Sequence, residues 1–287
     1  MSEESSEHPS SGVGQPAIGS LSPARIQGPV SSVAASPGGQ TSPSGWTFWD
    51  LLLLLLLSIP ALIFSIVVTV AAYYALNYVT GTGVEVEELL GSPLVAVVTH
   101  FVWWAILLSF MYAVITVKYG LPFGDSIGWR RLGKPWLDTV LYCWGGVALA
   151  VSVGLIASII PMPTDPLPIE ELLKGRHAVL VFAVFGVLIA PPVEEMGFRG
   201  FLYPVVERSC GKSAAVLMTS AIFSALHGWQ YGWHWQILLL LLYVGIVFGA
   251  LRARTGSLVP STLVHCAYNA TFFAVLIWGG DALQKMD

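Results

Sequence analysis

Seven apolar stretches, each close to the 20 residues that an α-helix needs to cross about 30 Å of hydrocarbon, limit this chain more than any other feature. They lie near 49–76, 94–117, 137–160, 178–206, 213–232, 235–251 and 257–279. In lipid every backbone polar group must find its partner within the protein, so runs of this length are helices. With 55% hydrophobic residues, only 10% charged and a mean hydropathy of +0.73, the 287-residue chain falls in the membrane class. The expected fold is all-α: a polytopic membrane protein of about seven transmembrane helices around a polar intramembrane cavity.

The chain divides into three parts on composition. Residues 1–45 are rich in Ser, Gly and Pro and read as a disordered tail, because they hold too little apolar surface to offset the entropy of ordering. The first apolar run starts only at Trp46, too far in for a signal peptide, so it is expected to stay as a helix. Residues 46–280 form the multi-pass domain, and 281–287 a short C-terminal tail. Residues 81–91 carry Glu85, Glu87 and Glu88, whereas 118–137 carry Lys118, Arg130, Arg131 and Lys134. Positive-inside logic puts the second loop and the N-terminus in the cytoplasm. Gly120 to Trp136 reads as a loop or short helix at the membrane surface. Pro161 to Pro168 reads as a stiff connection, with a short helix starting near Ile169. Gly245 and Gly249, four apart, would let another helix approach closely.

Composition also excludes classes. The net charge is −4, the cations lie in short clusters and no phosphate-binding Gly-Lys-Ser/Thr loop is present, which argues against nucleic acid or nucleotide. The three cysteines, Cys143, Cys210 and Cys266, are scattered and form neither a disulfide framework nor a Cys-based zinc pattern.

Within the fourth run stands Pro191-Pro192-Val193-Glu194-Glu195-Met196-Gly197-Phe198-Arg199. Each charge at bilayer depth costs roughly 2.5–3.5 kcal/mol on insertion scales, so three together call for a function. Residues four apart share a helix face, so Arg199 is expected to pair with Glu195 and leave Glu194 free as a general base. Pro191 and Pro192 cannot donate to the preceding turn, and the helix should kink or open there. Two later runs carry Phe223-xxx-His227 and His265-xxx-Asn269. Counted at about 1.5 Å per residue, Glu194 lies roughly 21 Å from Arg208, His227 roughly 22 Å from Lys212 and His265 roughly 16 Å from Arg254, which puts the three at similar levels. A carboxylate and a histidine can activate water, and a second histidine with an amide can stabilise an oxyanion, which is equipment for acyl hydrolysis. His100 and His234 read as packing residues.

At Glu194-Glu195-xxx-Arg199, Phe223-xxx-His227 and His265-xxx-Asn269, the chain resembles the CPBP family (CAAX prenyl endopeptidase and bacteriocin-processing, or Abi, intramembrane proteases). The resemblance covers about 178–280. It implies a helical membrane fold, with Glu194 and His227 activating water and His265 and Asn269 forming the oxyanion hole. It also implies Glu195 and Arg199 as structural support and a peptide or lipidated (CAAX-like) protein as substrate. Zinc held by Glu194, His227 and His265 is the alternative, although no His-Glu-xx-His pair supports a metal and no cofactor is favoured. The competing reading is a non-catalytic membrane interaction or bacteriocin-immunity protein that keeps the polar motif for folding. A transporter is disfavoured, since no internal repeat is visible.

Overall fold

The computed structural model describes residues 45–81 and 92–279. All but the last residue of the expected 1–45 tail, the acidic loop from 82 onward and the 281–287 tail lie outside the described residues. The described residues are helical, without strands. Six helices are long and apolar enough to cross a membrane. These are α1 (Phe48–Thr80), α2 (Pro93–Lys118), α4 (Pro135–Ile159), α6 (Arg176–Leu226), α7 (Trp235–Thr255) and α8 (Val259–Trp278). Two short helices, α3 (Phe123–Ile127) and α5 (Pro168–Leu172), lie between them. Large apolar side chains such as Leu55, Ile59, Ile159 and Leu188 are exposed along the long helices, as lipid-facing positions must be.

The count of six, where the sequence pattern suggested seven, arises in α6. This helix takes in both the 178–206 run and most of the 213–232 run, and is interrupted only at Gly211 (φ 82°, ψ 170°). A straight helix of its 51 residues would measure about 77 Å, far beyond a bilayer core. Glycine alone takes up such a backbone angle without strain, so the break falls there.

α6 also departs from α geometry around its two prolines. Phe185–Ile189 and Met196–Leu202 are π-helical, and Ala190–Glu195 between them is α-helical. The opening expected at Pro191 and Pro192 therefore takes the form of widened turns on both sides, a feature common at functional sites. Pairs of helices then fix where α6 lies. Gly245 and Gly249 of α7 meet the last part of α6: a Cβ on Gly245 would lie 3.0 Å from Ser220 Cβ, and one on Gly249 3.1 Å from Val216 Cγ1. α8 is held from its other side by α4, where a Cβ on Gly146 would come within 2.4 Å of the Val264 carbonyl oxygen. Small residues permit close approach where no hydrophobic force drives helices together.

The segment Gly120 to Trp136 holds the expected short helix and is mostly exposed or half-buried, but Ile127 and Gly128 are buried. Ile127 is 1% exposed and packs with Trp46, Met111, Ile115, Phe201 and Leu258 in one apolar cluster. The Leu258 N–H donates to the Gly128 carbonyl at 2.8 Å, so this loop is stitched to the start of α8. Burial of a large aliphatic side chain contributes about 1.5–3 kcal/mol, and the mixed polar composition around Ile127 concealed it.

Candidate active site

Two helices, α6 and α7, enclose Arg199. Its side chain is fully buried, as is that of Glu195, and its Nη1 donates to Glu195 Oε1 at 3.0 Å. Nη2 donates to the Gly245 carbonyl of α7 at 2.9 Å. The guanidinium faces three rings, with its carbon 4.9 Å from the centre of Phe223, 5.3 Å from Phe248 and 5.7 Å from Phe198. Cation–π contact in a desolvated setting is worth about 2 kcal/mol, which offsets part of the cost of burying the charge. The pairing read from helical phase is thus present, with an aromatic box around it.

α8 brings His265 to both acids. Its Nδ1 lies 3.3 Å from Glu195 Oε1, and its Nε2 lies 3.8 Å from Glu194 Oε2. A carboxylate bound to arginine can only accept, so Nδ1 carries a proton towards Glu195. The ring is stacked on Phe248 at 4.4 Å and stands edge-on to Phe223 at 6.0 Å, which fixes its plane. Glu194 has no ion pair with Arg199, and its side chain retains 18% exposure where Glu195 has none. The two neighbouring acids therefore occupy different surroundings: Glu195 is sealed from solvent and paired through Oε1 with Arg199 and His265, its Oε2 meeting no hydrogen-bond partner among the described residues, whereas Glu194 faces His265 and is still reachable.

His227 and Asn269 are joined to this cluster less directly. The His227 ring packs at 4.5 Å on Phe223, and its Nδ1 faces the Phe223 carbonyl at 2.7 Å. That carbonyl can only accept, which leaves Nε2 as the acceptor nitrogen. No Glu194–His227 ion pair forms among the described residues. Asn269 donates from Nδ2 to the Gly186 carbonyl in the first π stretch at 2.7 Å, committing one of its two amide hydrogens to holding α8 against α6. Among the described residues no group of three or more His, Cys, Asp or Glu side chains is gathered to hold a metal ion. Glu194, His227 and His265 thus do not assemble as a zinc-binding set in this arrangement.

Three contributors escaped the sequence reading. Gly245 packs closely on Ser220, as its spacing from Gly249 leads one to expect, and its carbonyl in addition binds Arg199. Phe248 and Phe198 line the box and resemble any other apolar residue of a membrane helix. The available signal was that Phe248 lies three residues after Gly245, on the same face of α7. Beside the site, Leu108, Ser109, Tyr112, Phe123 and Met196 line a largely apolar cleft of about 310 Å³, and Met196 is the residue after Glu195.

A family model described as type II CAAX prenyl endopeptidase Rce1-like matches residues 176–271. The matched segment contains Glu194, Glu195, Arg199, His227, His265 and Asn269. No curated protein and no solved structure matches the chain.

Proposed function

We propose that this integral, multi-pass membrane protein, whose residues 176–271 match the type II CAAX prenyl endopeptidase Rce1-like family model, is an intramembrane endopeptidase of the CPBP family. Its substrate is a peptide segment of a membrane-associated or prenylated, CAAX-like protein. The observation that carries the reading is the asymmetry of the acids: Arg199 consumes Glu195, while Glu194 is left facing His265 Nε2 at 3.8 Å. Glu194, with the free Nε2 of His227, takes a proton from the attacking water. His265 stabilises the developing oxyanion from the Nε2 side of its ring. Asn269 completes the oxyanion hole with its second amide hydrogen. The apolar cleft beside Met196 supports a lipid-bearing substrate.

In this reading the break at Gly211 divides α6 into two crossings, giving seven in all around a polar cavity. The N-terminus lies in the cytoplasm, and water acts without a bound metal. Purified wild-type protein should cleave members of a library of peptides and prenylated peptides, and Glu194→Gln should fold normally without cleaving them; equal cleavage by both sinks the role of Glu194. Activity that vanishes after chelation and returns with zinc would replace the metal-free water with a metal-bound one. The sealed Glu195–Arg199–His265 knot also suits a non-catalytic scaffold. That reading gains if Glu194→Gln serves cells as well as wild type.

A further inference from the structure

The stretch Met196–Leu202 is π-helical, and two donors from distant parts of the chain reach its backbone. Arg252 of α7 donates from Nε to the Arg199 carbonyl at 3.0 Å. Trp46, just before α1, donates from its indole nitrogen to the Phe201 carbonyl at 2.7 Å and stacks on the Phe201 ring at 5.2 Å with planes 3° apart. Neither residue is part of the chemistry proposed above. Both are well held. Trp46 is 3% exposed, its carbonyl accepts from Arg208 Nη2, and that guanidinium lies 5.6 Å over its ring. The Arg252 guanidinium fills the space over Gly128, where a Cβ would meet it at 2.6 Å. Between the two accepting carbonyls stands Gly200, whose missing Cβ would fall 3.1 Å from Ile127 Cβ and 3.2 Å from Leu258 Cδ1.

A π turn amounts to a residue inserted into an α-helix. Losing it would rotate everything on one side relative to the other by about 100°. Glu194 and Glu195 lie immediately before this stretch and the rest of α6 after it, so its winding sets the angle at which the acids meet Arg199 and His265. Arg252 and Gly245 are seven apart on one face of α7, which therefore grips Arg199 twice: at its guanidinium through Gly245 and at its carbonyl through Arg252.

We propose that Trp46 and Arg252 are positioning residues that hold Met196–Leu202 in its π-helical form by donating to the Phe201 and Arg199 carbonyls, and so aim Glu194 and Glu195. This rests on the proteolytic reading of the site. Paired variants isolate each donor. Trp46→Phe keeps an aromatic ring for Phe201 and loses only the indole N–H. Trp103→Phe removes the same kind of bond, indole to the Ser58 carbonyl at 2.8 Å, between α1 and α2. At position 252, Gln carries an N–H at the same distance along the side chain as the arginine Nε, whereas Met, equally long, carries none; both lack the charge.

The expected result, in the full-length protein in detergent or bilayer, is that Trp46→Phe and Arg252→Met each lower kcat roughly threefold to tenfold, the worth of one hydrogen bond, with KM unchanged. Trp103→Phe and Arg252→Gln should stay near wild type. Amide hydrogen exchange over residues 196–207 should quicken in the first two variants and not in the second two. Equal behaviour of Trp46→Phe with Trp103→Phe, or of Arg252→Met with Arg252→Gln, overturns the proposal. A wild type that cleaves nothing refutes the proteolytic reading instead, and exchange over 196–207 then decides the positioning roles by itself.

Discussion

Two buried carboxylate clusters show the difference between a fastening and a candidate site. Asp50, in the first turn of α1, is fully buried, yet every bond it needs is made: Lys118 and the Tyr119 hydroxyl reach it from the end of α2, and the Thr47 backbone N–H closes a capping box at 2.8 Å. Its cation, Lys118, is 53% exposed and reaches water. Glu195 and Arg199 in the middle of α6 have no such outlet, since both side chains are 0% exposed. Beside them Glu194 keeps a carboxylate that forms no salt bridge with an arginine or lysine among the described residues. A satisfied acid at a helix end ties two helices together, whereas the acid left open next to a sealed pair is the one to which the proposed chemistry is assigned.

The comparison can be broken at four points, from the largest expected effect to the smallest. Glu194→Gln should lower kcat by about 10²–10⁴-fold, the usual worth of a general base, while its thermal unfolding in detergent stays near that of wild type; a variant that unfolds early would make Glu194 another fastening. Arg199→Ala should cost about 3–5 kcal/mol, because it strands Glu195 without a counter-charge, and should appear as loss of monodisperse protein on size exclusion. Asp50→Asn should destabilise by about 1.5–3 kcal/mol, the value of hydrogen bonds to a charged group, with the kcat of the remaining folded protein unchanged; a fall in kcat would link the α1–α2 fastening to the site. Lys118→Ala should have the smallest effect, its thermal unfolding in detergent staying near that of wild type, since its exposed end can be replaced by water. If Lys118→Ala proves as damaging as Arg199→Ala, the contrast between the two clusters disappears.

The amino-acid order alone determined the helical membrane class, the approximate ends of five of the spans and the Glu195–Arg199 pair. These depend on local quantities: hydropathy summed over one bilayer thickness, and the helical phase of residues four apart. It also pointed to an opening at Pro191 and Pro192, because a missing N–H is a property of the residue itself. Only the tertiary structure decided the rest. The opening became two π turns, the Gly245 carbonyl became the second ligand of Arg199, Phe248 became the plate under His265, and Ile127 was drawn inside from a polar loop. Asn269 turned one amide hydrogen to Gly186, and His227 came to the site through Phe223. In a membrane helix nearly every residue is apolar, so composition does not reveal which apolar residue faces lipid and which faces a guanidinium. That choice is made by how closely the glycine-lined helices approach, and it appears only once they are packed.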